Sequence, residues 1–291
     1  MNLIVKNYDF NYKYISRSIK ICLCADFHFS HISNRNKYNM VLDNIKENKP
    51  DYICIAGDYI DCINMLDDSK LYLESINYIK ELCKISKVIF TFGNHDITKI
   101  NIKNKREYGI NEKWIKEISL VKNVIYLNNS MYEENGIRFI GYSAPFNYYK
   151  KFNENGKLLI EDFNKVIPNI KDDKYNVLLC HSPIRIFSNK SFNNINDLKN
   201  IDIILSGHMH NALTPNFIDK IWKSNRGLVS PHKYLFPNNA RGIKTKIIDG
   251  KKINLVITGG VTKVHEVAPK PLHFLDKLYN PEVVYINIDK S

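Results

Sequence analysis

Five short polar stretches carry most of the residues in this chain that could do chemistry. They are Asp26-Phe27-His28, Gly57-Asp58 with Asp61 beyond it, Gly93-Asn94-His95-Asp96, His181-Ser182-Pro183 and Gly207-His208-Met209-His210. Each follows an apolar run. Taken singly, any of them is an ordinary turn, since Asn, Gly and Asp are standard turn formers. Taken together they offer imidazole nitrogens with carboxylate and amide oxygens, and no obligatory thiolate. Such a donor set suits divalent Mn, Fe, Zn, Ni or Co rather than an iron–sulfur cluster. The donors outnumber the needs of one four-coordinate ion, whereas two ions sharing a carboxylate use them all.

The elements that must position these residues are short strands. Residues 19–25, 52–56, 88–92, 177–180 and 201–206 are apolar runs of strand length. Residues 39–47 carry Met40, Val41 and Ile45 at helical spacing, and Pro50 ends them. Tyr72, Ile76, Ile79 and Cys83 form one stripe of a clearer helix, with Ser69 as its expected N-cap. The order strand-helix-strand-helix-strand predicts a parallel sheet with right-handed crossovers. In such sheets ligands gather outside the carboxyl ends of the strands, so the five polar stretches converge on one edge.

Farther along, residues 114–121 read as a helix and residues 124–127, 137–141, 255–257 and 283–286 as strands. Asn135-Gly136 marks a hairpin turn after a short strand at Met131. Residues 1–19 suggest an edge strand. Residues 211–250, with Trp222 and Tyr234, lack periodicity and read as a long loop region near the site. With no internal repeat and no Gly/Ser-rich linker, residues 1–291 are expected to form a single domain.

Composition narrows the function class. Hydrophobic content of 44% and charged content of 25% belong to the soluble globular range. No run of apolar residues is long enough to span a membrane, and the first residues lack a signal-peptide pattern, so a cytoplasmic location is expected. The six cysteines, at 22, 24, 54, 62, 83 and 180, contain no C-x-x-C pair and read as reduced core thiols. A net charge of +12 favours anionic partners, yet the lysines are spread along the chain. Their densest cluster, Lys99, Lys103, Lys105 and Arg106, reads as a solvated loop. His31, His232, His265 and His273 read as exposed or packed histidines rather than ligands.

The five blocks, in this order, resemble the signature of the calcineurin-like metallophosphoesterases: D-x-H, G-D-x-x-D, G-N-H-D/E, a lone H, and G-H-x-H. The context most resembles bacterial small-molecule or lipid-associated members. The resemblance implies a four-layer α/β/β/α sandwich around two packed mixed sheets. It implies two divalent transition-metal ions, one held by Asp26, His28, Asp58 and His210 and the other by Asp58, Asn94, His181 and His208. His95 would face the substrate, and Asp96 would hold its other ring nitrogen. The expected activity is hydrolysis of a phosphomonoester, phosphodiester or pyrophosphate. A nuclease, motivated by the net charge, and a non-catalytic metal-binding scaffold are the alternatives.

Overall fold

Along the strands that lead to the candidate site, consecutive side chains enter different cores. Cys22 and Cys24 face one core, while Ile21, Leu23 and Ala25 face another. Ile53 and Ile55 against Cys54 and Ala56, and Val88 and Phe90 against Ile89, divide in the same way. A period of two with both faces apolar is what a strand buried on both sides requires.

The computed structural model of the chain describes residues 1–13, 15–150, 162–163, 165, 170–183, 198–214, 226–229, 235, 237, 240–248, 250–264, 266 and 270–290. The first sheet is built from β1 (Ile4–Tyr12), β2 (Ile19–Cys24), β3 (Tyr52–Ala56), β4 (Lys87–Thr91), β7 (Val124–Tyr126) and β14 (Glu282–Lys290), in the order β1-β14-β2-β3-β4-β7. The second is built from β8 (Ser130–Glu134), β9 (Ile137–Tyr142), β10 (Tyr175–Cys180), β11 (Ile203–Ser206), β12 (Gly242–Ile248) and β13 (Lys251–Ile257), in the order β12-β13-β11-β10-β9-β8. β5 (Thr98–Ile100) and β6 (Arg106–Tyr108) form a separate two-stranded hairpin.

Both large sheets are mixed. In the first, β2, β3, β4 and β7 run parallel and β14 runs antiparallel to β2. In the second, β9, β10, β11 and β13 run parallel while the edge strands β8 and β12 run antiparallel. Leu23, Ile89 and Ile286 of the first sheet share one core with Phe139, Leu179 and Leu205 of the second, so the sheets pack face to face. The outer face of the first sheet is covered by α1 (Arg35–Asn48), α2 (Ser69–Cys83) and α3 (Glu112–Ser119), through Val41, Ile79 and Trp114 among others. On the outer face of the second, Leu178, Ile204 and Leu255 meet Phe163, Ile170, Leu198 and Ile201. The arrangement is the α/β sandwich with two mixed sheets that the motifs imply.

Local details refine the sequence reading. Asp68, not Ser69, caps α2, because its carboxylate accepts from the N–H groups of Lys70 and Leu71. Asn135 and Gly136 both take positive φ between β8 and β9, the two-residue turn that suits a hairpin. The stretch read as a loop from 211 to 250 contains β12, whose ladder with β13 supplies regularity that its side-chain pattern lacks. The basic cluster at 99–106 belongs to a hairpin, with Lys99 and Arg106 in its strands and Lys103 and Lys105 in the exposed turn between them.

Ile286 lies fully buried between the sheets, whereas Leu120 is 76% exposed. Ile286→Ala should therefore lower stability by about 2–5 kcal/mol, and Leu120→Ala by no more than about 0.5 kcal/mol. Urea midpoints at constant slope measure both; equal shifts would contradict the shared core.

Candidate metal centre

The parallel strands of the two sheets end on one edge, and loop backbones knit them together there. Asp26 N donates to Gly57 O and His28 N to Asp58 O, so the loops after β2 and β3 continue the pairing of their strands. Within the second sheet, Gly207 N donates to His181 O, and across the sheets His208 N reaches both carboxylate oxygens of Asp26 at 3.1 Å. Asp26, His28, Asp58, His208 and His210 all take left-handed backbone conformations, with φ between 47° and 68°. Each such residue costs about 1–3 kcal/mol, a strain that persists only where the surroundings over-determine it and that gathers at functional sites. Gly57 and Gly93 make the approach possible: a Cβ on Gly93 would stand 2.2 Å from Asp58 Oδ1, and one on Gly57 would stand 2.5 Å from Gly93 N.

Among the described residues three buried groups of donors result, one of them His28, Asp61 and His95. Asp26, His28, Asp58 and His210 each present one ligand atom, all within 4.8 Å of one another, and Asp58, His181 and His208 do the same. Asp58 belongs to both of these. Its Oδ1 accepts from His95 N at 2.8 Å, and its Oδ2 lies 2.9 Å from His181 Nε2, in contact but without hydrogen-bond alignment. His208 Nδ1 and His181 Nε2 are 3.1 Å apart.

Backbone carbonyls set which nitrogen faces the centre. His181 Nδ1 donates to Ala56 O at 2.7 Å and His210 Nδ1 to Thr262 O at 2.9 Å, which turns both Nε2 atoms inward. Thr262 itself is tied to the loop after β2, through its N to Asp26 O and its Oγ1 to Phe27 O. The sequence held no signal for these carbonyl acceptors, since a main-chain oxygen carries no residue type.

The charges agree with a cation site. Burial opposes ionisation of Asp58, but His181, His95 and His28 outweigh it and hold the carboxyl well below its ordinary range. Burial also opposes charge on His181, and the Asp58 carboxylate overcomes it, raising the ring to about 9. His210, without so close a carboxylate, is pushed down by burial to about 4. Carboxylates and imidazoles together suit divalent ions, whose binding would release the proton that Asp58 holds on His181. Asn94 tests that fit. Its Oδ1 is buried and accepts no hydrogen bond in the structure, an arrangement that costs about 1–3 kcal/mol unless another partner takes it up. A cation is such a partner.

Asp96 differs from expectation. It does not meet His95; its oxygens accept from the N–H groups of Tyr59, Ile60 and Gly93 and clamp the loop after β3 to the loop after β4. Burial and the Asp58 charge push its carboxyl up to about 7. Asp61 takes the place expected of Asp96, with its carboxylate 3.0 Å from His95 Nδ1 and its main-chain oxygen on the same nitrogen. It also lies 3.6 Å from His28 Nδ1. Met209 packs with the outer core of the second sheet, away from the centre. Tyr149, to which the sequence did not point, sets its ring 5.7 Å from that of His208 and 6.4 Å from that of His181. His31 is exposed and His273 Nε2 lies 3.1 Å from Glu266 O, whereas His232, His265, Trp222 and Tyr234 lie outside the described residues.

Comparison with known proteins yields three findings. The sequence model of the family described as calcineurin-like phosphoesterase matches residues 19–212. Uncharacterized metallophosphoesterases of Helicobacter pylori strains 26695 and J99 are each 21% identical over 196 residues, which is 67% of this chain and 45% of theirs, so the chain spans about half their length. Among solved structures, a dimetal phosphatase from Danio rerio aligns over 84% of this chain and 88% of its own, at 10% identity and a TM-score of 0.46. A Pseudomonas putida nuclease aligns over 82% of this chain and 74% of its own, at 12% identity and a TM-score of 0.33.

The clamp role of Asp96 has a measurable consequence. Asp96→Ala leaves three buried N–H groups without their acceptor and should cost about 2–4 kcal/mol in unfolding free energy. A variant as stable as the parent would show that the clamp carries no stability.

Proposed function

The chain belongs to the calcineurin-like phosphoesterase family, and from that premise we propose that it is a dinuclear metal-dependent phosphoesterase. One observation carries the reading. Asp58 is the carboxylate common to two buried donor groups, and two cations held side by side need a shared anion to offset their repulsion. One ion would be held by Asp26, His28, Asp58 and His210, the other by Asp58, Asn94, His181 and His208. When bound, such a pair supplies charge neutralisation at a phosphoryl group and activates water for attack on phosphorus.

The residues of this chain divide the remaining work. Asp61 holds Nδ1 of His95, and Nε2 is the nitrogen that would meet the substrate. From there the ring gives a proton to the departing oxygen, a contribution worth about 10²–10⁴-fold in rate. Asp61 acts through His95 and is a positioning residue. The site residues are buried, and a surrounding of lower polarity than water strengthens each of these interactions. The substrate is a phosphomonoester, a phosphodiester or a pyrophosphate. Residues 1–291 act as one domain, a reading supported by the core that the two sheets share. The six cysteines are free and buried, which supports residence in a reducing compartment, the cytoplasm.

The protein stripped of metal and reloaded with Mn²⁺ should bind about two ions per chain and hydrolyse a nitrophenyl phosphomonoester or diester. Asp58→Asn should abolish both properties. Asn94→Ala should weaken metal binding, whereas His95→Ala should keep the metal content and lower kcat about 10²–10⁴-fold. Asp61→Asn should lower kcat with KM unchanged. Full turnover by the stripped protein, or equal metal loss in the Asn94 and His95 variants, would overturn the mechanism.

A further inference from the structure

The β5–β6 hairpin leaves the candidate site directly and ends in an unusual tip. β5 begins two residues beyond Asp96, and its first residue is tied to the site loop: Thr98 N donates to His95 O, and Thr98 Oγ1 reaches Asn94 O. The base is fixed a second time by Ile100 N on Asn64 Oδ1. The tip is internally closed. Asn101 N donates to Lys105 O, Asn104 N to Asn101 O, and Asn101 Oδ1 accepts from the N–H groups of Lys103 and Lys105.

This ordered turn holds Ile102 fully in water, among the exposed side chains of Lys99, Lys103, Lys105 and Arg106. Against those four cations stands Glu107, which gives the hairpin a net charge of +3. Tyr108, more than half exposed, adds a second apolar group below the tip. A fully exposed aliphatic side chain gains nothing in solution, and burial would contribute up to the full transfer value of its surface.

We propose that this hairpin is a docking element for an anionic lipid surface, with Ile102 entering the headgroup boundary and the four cations meeting lipid phosphates. Two features favour a bilayer over a nucleic acid. An aliphatic tip finds an apolar medium in a bilayer and none along a sugar–phosphate backbone. The tip also carries no aromatic side chain on which a base could stack. One aliphatic side chain and a small net charge give weak, reversible association of the kind that concentrates a protein at a surface without anchoring it. Six residues lie between His95 and Ile102, a reach of at most about 25 Å. A docked hairpin therefore brings the candidate centre close to the surface. The proposal concerns binding and stands whether or not the chain hydrolyses phosphoesters.

Co-sedimentation of the full chain with phosphatidylcholine vesicles, with and without phosphatidylglycerol, tests it. Binding should require phosphatidylglycerol and fall as salt rises. Ile102→Ser should weaken it about ten-fold, and removal of Lys103 or Lys105 as serine variants about five-fold each. All three positions are exposed, so thermal unfolding and turnover of a soluble phosphoester should match the parent. Failure to bind the anionic vesicles, or equal binding by the Ile102 and lysine variants, would overturn the proposal. Salt-sensitive binding to DNA that these variants weaken, with no vesicle binding, would assign the hairpin to a nucleic acid instead.

Discussion

A carboxylate buried in a protein interior must be matched by positive charge or by hydrogen-bond donors, and the architecture here follows from meeting that demand at Asp58. Burial alone would neutralise the group; three histidines from three different loops keep it ionised. One of them, His181, arrives from the second sheet, so the ionised state of Asp58 depends on the two sheets packing face to face. The inter-sheet core is thus more than a source of stability. It fixes the spacing between the carboxyl ends of strands from separate sheets, and it does so with side chains in close-packed contact that leave little room for adjustment.

Strain at the strand ends belongs to the same arrangement. The five left-handed residues turn their side chains in directions that an extended strand would not permit. Such conformations are offset by hydrogen bonds that run from loop to loop, such as Asp26 N to Gly57 O and Thr262 N to Asp26 O. Asp96 belongs to this supporting frame. With three backbone donors on its carboxylate, it holds the second and third site loops in register, while Asp61 orients His95. The stretch from Gly93 to Asp96 therefore contains a close approach, an orphaned oxygen, a buried imidazole held by Asp61 and a clamp in four consecutive residues.

Much of the frame was legible beforehand. The apolar runs at residues 19–25, 52–56 and 88–92 announced buried strands, and the polar residues beyond them announced a site at their carboxyl edge. The order of the five blocks pointed to the family, and the family match covers residues 19–212. Less was legible where pattern is weak. β12 pairs through its backbone with β13 although its residues show no clean alternation, so its ladder could not be foreseen. The cap of α2 was misplaced by one residue because Asp68 and Ser69 are both good caps and only the backbone angles choose between them.

The sequence by itself determined which donor types stand at the ends of which apolar runs, because burial and strand periodicity are local properties. Only the tertiary structure decided how those donors are held. That Asp61 rather than Asp96 meets His95, and that the carbonyls of Ala56 and Thr262 turn two imidazoles inward, depend on contacts between residues far apart in the chain. They depend also on positive φ values that redirect a side chain within a single residue. Neither dependence leaves a mark in residue type or spacing, since both arise only when the two sheets close on each other.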